Sequence, residues 1–217
     1  GVRLVGSEMC IRDRLDINTE TGTAAITITG IGDSTGGSEN AGAGIVNIGN
    51  ASTSNMTFSG AFYRTDGAVT VTTGAGAGKI DFTGSNPTLT TSQDAVEFVG
   101  GDILLADGAN LTIQTNFGNP GSSNGGNIIV AGAIAGTSDE NLTLTTGTVG
   151  STGNVSLHDI GAGDQISTIS IRGNGKILLD GDIKTSDANG DASAPSLTLT
   201  GAVAVSYTHL RAHETDS

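Results

Sequence analysis

Across 217 residues the sequence has no tryptophan, one cysteine, three prolines, two tyrosines and five phenylalanines. Lysine and arginine number 9 against 22 aspartates and glutamates, a formal net charge of −13. Each shortage excludes something. A single cysteine allows no disulfide framework. Few basic residues argue against binding a phosphate backbone, which needs Lys and Arg. Few aromatics argue against stacking on nucleic-acid bases, so no nucleic-acid partner is expected. No apolar run approaches the length of a membrane span, so no membrane insertion by this chain is expected either. What is present is Gly, Thr, Ser, Asn and Ala, with Ile, Leu and Val in regular clusters and charge at low density. That is not the composition of a disordered chain, and it can bury a core.

The two ends read differently from the middle. Residues 4–13 (LVGSEMCIRD) and 205–214 (VSYTHLRAHE) pair in reverse order, Leu4 with Glu214 through Asp13 with Val205. Every pair can be written as one codon and its reverse complement: Met9 (ATG) faces His209 (CAT), and Cys10 (TGT) faces Thr208 (ACA). The run resembles a transposase sequencing adapter translated on both strands; a genuine transposon end is the rival. Either way, residues 1–14 and 205–217 are expected to be non-native, and 15–204 to be a fragment whose own start and stop lie elsewhere. Setting the ends aside removes Cys10, His209 and His213. It leaves His158 and the bases Arg64, Lys79, Arg172, Lys176 and Lys184.

Within 15–204 apolar and polar residues alternate: AITIT at 25–29, NMTFS at 55–59, AVTVT at 68–72, NLTIQ at 110–114, NLTLT at 141–145 and SLTLT at 196–200. A period of two marks half-buried strands, and outward Thr suits a pleated surface. Turn signals separate them, among them Asp66-Gly67, Asn86-Pro87, Asp107-Gly108 and Asn189-Gly190. A motif of Gly, a polar residue, Ile or Val, any residue and an apolar residue recurs at Gly78, Gly101, Gly126, Gly153 and Gly175, at spacings of 23, 25, 27 and 22. A second strand falls between successive copies. This fits the coils of a parallel β-helix of about 22–27 residues each, stacked at ~4.8 Å. Ile80, Ile103, Ile128, Val155 and Ile177 are expected to form one inner ladder, and Leu89, Leu111, Leu142, Ile169 and Leu197 another. Inserts at 115–125 and 185–195 are expected at coil corners. The alternative is a set of antiparallel β-sandwich repeats.

From Gly125 to Val203 the chain reads GGNIIVAGAIAG, NLTLTTG, GNVSLHDIGAG, ISTISIRGNGKILLDGDIKT and SLTLTGAV. This resembles the passenger repeats of filamentous-haemagglutinin-like and autotransporter-type bacterial adhesins, closely over about 80 residues and more loosely over 44–124. The resemblance implies a right-handed β-helix, secreted or held at the bacterial cell surface, acting in adhesion or biofilm formation through an unidentified glycan or protein ligand. It brings no catalytic residue and no cofactor.

The residues that carry chemistry are few. His158-Asp159 is the most enzyme-like pair: in the repeat register His158 lies over Asp180, one coil on, with Asp182 near. Solenoid polysaccharide lyases and hydrolases place carboxylates on adjacent coils, which makes a carbohydrate-active β-helix the alternative function; a solvated corner is the plainer reading. Asp187, Asn189 and Asp191 alternate as in the opening of a calcium loop, but Ala192 and Thr198 stand where such a loop has Gly and a carboxylate. Asn50, Asn55, Asn110, Asn141 and Asn154 each open an Asn-x-Ser/Thr triplet, which reads better as turn and strand-start chemistry than as glycan acceptors. Gly74 to Ile80 lacks the spacing and the following helix of a phosphate loop. The sequence reading is therefore an adhesive, non-enzymatic solenoid that associates end to end through its open sheet edges.

Overall fold

A computed structural model describes residues 14–18, 25–32, 44–74, 78–117, 125–137, 139–147, 153–161, 166–185 and 196–205. In chain order, β1 (Leu15–Ile17) and β2 (Ile26–Ile28) open the stack. Coils follow from β3 (Val46–Gly49), β4 (Asn55–Phe58) and β5 (Phe62–Arg64), then β6 (Val69–Thr72), β7 (Lys79–Phe82) and β8 (Thr88–Thr90). The next two are β9 (Val96–Val99), β10 (Asp102–Leu105) and β11 (Leu111–Gln114), and β12 (Ile128–Val130), β13 (Ile134–Ala135) and β14 (Asn141–Thr145). Last come β15 (Val155–Leu157), β16 (Thr168–Leu179) and β17 (Ser196–Val205).

Each coil has three sides, and each strand pairs with its counterpart one coil away. The first side runs β1-β3-β6-β9-β12-β15 and on to the second half of β16, and the second runs β2-β4-β7-β10-β13. The third runs β5-β8-β11-β14 and on to the first half of β16. Because β16 turns a corner, the first and third sides join into one 12-stranded sheet. Among the described residues every pairing is parallel, which excludes the antiparallel sandwich and makes the chain a β-solenoid of about 5 turns. The six alternating segments named above all lie on strands.

The expected ladders need correction. Ile80 and Ile103 are partners on the second side, followed by Ile134. Ile128, Val155 and Ile177 are partners on the first side, preceded by Val46, Val69 and Val96. A Gly-led corner precedes strands on both sides, so the motif marks a corner without saying which. The first-side partners are separated by 23, 27, 32, 27 and 22 residues, so a coil reaches beyond the expected 27. The 32-residue coil contains the predicted insert after Thr115. Moving from the second side at Gly101 to the first at Gly126 hid that extra length. In the other ladder Leu111, Leu142, Ile169 and Leu197 are partners as expected, but Leu89 pairs with Ile113. Pro87 occupies the rung below Leu111, and its carbonyl accepts from Thr112 N at 2.9 Å.

The repeated glycines answer to close stacking at the corners. A Cβ on Gly101 would lie 1.9 Å from Gly78 O, and one on Gly126 would lie 2.1 Å from Asp94 C. Neither neighbour is a side chain that can swing away, so any larger residue there would push coils apart.

The interior is filled by inward residues from all three sides, most of them fully buried. Early coils are aromatic: Phe58 stacks on Phe82 at 4.8 Å, meets Tyr63 edge-on at 5.1 Å, and Phe82 meets Phe98 at 6.3 Å. The buried Tyr63 hydroxyl accepts from Gly60 N at 2.6 Å, which satisfies its polar tip. Later coils use Ile, Leu and Val instead.

Where the third side turns into the first, a column of buried threonines closes the corner. Thr65, Thr115 and Thr146 donate their hydroxyls across it to Gly67 O (2.6 Å), Gly126 O (2.7 Å) and Gly153 O (2.9 Å), and Thr91 donates to Asp94 O. Their main-chain N–H groups pair with the next coil. The corner segments so closed span 2, 11, 7 and 3 residues for Thr65, Thr115, Thr146 and Thr91. Chain of variable length thus leaves and rejoins at a fixed pin, which matches the slow growth of loop-closure cost with length.

Candidate functional site

Strand β15 ends at Leu157, whose partner is Leu179. His158 and Asp180 follow and fall on adjacent coils, as the register predicts. Both side chains are exposed. The contact, however, is between His158 Nδ1 and the main-chain carbonyl of Asp180, and the Asp180 carboxylate is not the partner. Asp159 is also committed to the backbone: its Oδ1 accepts from Asp182 N at 2.8 Å. Asp182 O in turn accepts from Ile160 N at 2.8 Å. At this corner the side chains of His158 and Asp159, bonded to the main chain of Asp180 and Asp182, hold one coil to the next.

Beside this corner the outer surface of the first side becomes apolar. A cleft of about 430 Å³ is lined by Ile129, Ser156, Lys176 and Leu178, and a shallower one of about 390 Å³ by Ile129, Ser156, His158 and Asp180. Toward β1 the same outer row carries Glu97, Thr70, Asn47 and Asp16. Asp16 accepts from Arg14 Nε and Asn47 Nδ2, each at 2.8 Å. The Arg14 bond first, then the Asn47 bond, hold its carboxyl below the usual range.

The strands of the second side carry Lys79, Asp81 and Asp102. Lys79 and Asp102 are partners on neighbouring strands, and Asp81 lies between Thr57 and Leu104. Burial pushes the Asp81 carboxyl up, Lys79 opposes this, and its Oδ1 has no hydrogen-bond partner. Asp102 Oδ1 accepts from Ala133 N at 2.9 Å. Lys79 begins β7 straight after Gly78, so a strand follows where a phosphate loop has a helix.

Three of the five triplet asparagines, Asn110, Asn141 and Asn154, serve as cross-coil braces, whereas Asn50 Oδ1 accepts from Ser52 N within its own turn at 2.8 Å. Asn110 Nδ2 donates to Asn86 Oδ1 (2.8 Å), and Asn141 Nδ2 donates to Asn110 Oδ1 (3.0 Å). Asn154 N donates to Asn127 Oδ1 (2.9 Å), and Asn154 Oδ1 accepts from Lys176 N (2.7 Å). Repeating strand starts give these columns a sequence signal, the Asn-x-Thr spacing itself. The threonine pins have only a weak one, since Thr is common throughout.

Asp187, Asn189 and Asp191 lie outside the described residues. Among the described residues no group of three or more His, Cys, Asp or Glu is placed to hold a metal ion, and no helix is long and apolar enough to cross a membrane. Compared with known proteins, the chain matches no protein family, no curated protein and no solved structure.

Proposed function

We propose that this chain is a structural and adhesive segment of a large bacterial protein, secreted or held at the cell surface, and that it acts without catalysis. The observation that carries the reading is where its polar chemistry goes. Asp102, Asp159, Asn110, Asn127 and Asn154 all bond from one coil to the next. Side chains spent in this way stiffen a fibre. A catalytic cleft would have them converge on an open gap. The resemblance of residues 125–203 to adhesin passenger repeats supports the same reading. The partner is a surface glycan or protein, and the open strand edges favour end-to-end contact between copies.

The test is to coat beads with the full chain and measure their retention on arrays of host glycans and matrix proteins, alongside reducing-end release from neutral and acidic polysaccharides. Retention without turnover is the expected result. The alternative, a polysaccharide lyase or hydrolase, rests on His158 standing over Asp180. Turnover by the parent that is lost in His158→Ala would replace the adhesive reading with it.

A further inference from the structure

The third side differs from the other two in what it shows to solvent. Its outward residues form columns across the coils. Thr88, Thr112, Thr143, Ser170 and Thr198 are successive partners and make an unbroken column of hydroxyls. Beside it runs Asn86, Asn110, Asn141, Thr168 and Ser196, braced by the asparagine bonds. Parallel pairing sets the spacing within a column at ~4.8 Å, and two residues along a strand set the columns ~6.6 Å apart. The column hydroxyls are half-buried up to Ser170 and exposed at Thr198.

Charge is sorted to match. The chain carries −13, yet no outward residue on β5, β8, β11, β14 or the third-side parts of β16 and β17 is a carboxylate. Arg64 and Arg172 are the charged residues there, and both lie in a third column, outside these two. Arg64 is turned under the Phe117 ring, 4.0 Å from its centroid.

From this we infer that the third side is a binding face for an uncharged, regularly repeating solid of hydrogen-bonding oxygens, namely ice. A single hydroxyl contact exchanged with water contributes little. Affinity for a lattice needs many such contacts in register on a support already rigid, so that no ordering cost remains. The main-chain ladders supply that support. Ions are poorly accommodated in such a solid, and the two columns have none. Threonine presents a hydroxyl and a methyl together, one to replace a lattice water and one to rest over a gap. A sugar chain is the poorer fit. From Thr88 to Thr198 the column positions hold no aromatic ring, the exposed Phe62 being the partner of Thr88 at one end, and the Asn110 and Asn141 amides already donate to their neighbours.

The experiment freezes a dilute solution of the full chain slowly onto a cold finger and measures the protein taken up by the ice, with ice recrystallisation as a second readout. Three proteins are compared: the parent, Thr112→Lys with Thr143→Lys, and Thr57→Lys on the second side as a control. Uptake and slowed recrystallisation by parent and control, both lost in the double variant with unchanged circular dichroism and melting, are expected. Exclusion of the parent from ice, or equal uptake by the double variant, overturns the inference. Retention of the parent on crystalline cellulose or chitin with exclusion from ice also overturns it and assigns the face to a neutral polysaccharide. Failure of the adhesion assay would leave an ice result standing, because the two readouts share no ligand.

Discussion

Asn141–Thr145 (NLTLT) and Ser196–Thr200 (SLTLT) differ at one residue and sit on the same side of the solenoid. Leu142 and Leu144 are both 0% exposed, whereas Leu197 is 41% exposed. Strand β14 has β11 and β16 on its two flanks, while β17 pairs with β16 alone. The same side chains aim inward in both, so burial belongs to the stack and not to the strand. In a solenoid each coil supplies half of its neighbour's interior, and stability accrues at the interfaces. The corners show the same contrast. Interior corners close on Thr115 or Thr146, whereas at the next position in that column the chain has Gly173, which has no hydroxyl to give.

The largest expected effect separates the two leucines directly. Leu142→Ala should cost about 2–5 kcal/mol, as for any fully buried leucine. Leu197→Ala should cost no more than about 1 kcal/mol, because much of its surface is already in water. Urea denaturation of the two variants measures the gap, and equal losses would mean that β17 is covered in solution. A smaller effect is expected at an interior corner. Thr115→Val keeps the shape but removes the donor to Gly126 O, leaving a carbonyl short of a partner at a cost of about 1–3 kcal/mol. Its signature is faster proteolysis between Thr115 and Gly126, with the remaining coils as resistant as before.

The smallest effect is one of pH. Asp81 has its carboxyl raised in the folded chain, chiefly by burial. The folded state therefore holds the proton more tightly than the unfolded state. The stability this contributes is present in full below the ordinary aspartate value of 3.8 and is lost as pH rises through the higher folded value. Asp81→Asn carries no such titration. The melting temperature of the parent relative to this variant should fall as pH rises through that window and be level beyond it. A difference that does not change with pH would mean the carboxyl is solvated.

Much of the fold was legible in the sequence, because alternation is a local property. Segments such as 68–72 and 110–114 announce a strand and its inward face through the period of two alone. The parallel coil followed from the recurrence of those strands. The candidate corner at His158 was legible as far as its register with Asp180, since both lie one residue beyond the partners Leu157 and Leu179. Its bonding was not. Whether a histidine faces a carboxylate or a carbonyl depends on how the corner bends, and nothing in the dipeptide His158-Asp159 encodes that. The third-side columns were visible only as Thr-rich strands, because which threonines line up depends on partners in other coils.

By itself, then, the sequence determined the strands, their inward and outward faces, and the stacking of repeats into parallel coils. Tertiary structure alone decided that Ile103 continues to Ile134 rather than Ile128, that Leu89 meets Ile113, and that Leu197 stays exposed where Leu142 is buried. The reason is physical. Side-chain direction is set within a few bonds of each residue, whereas partnership across coils depends on corner length, and corners lengthen at little entropic cost. Spacing in sequence therefore marks that coils repeat, and only the folded stack decides which residues meet.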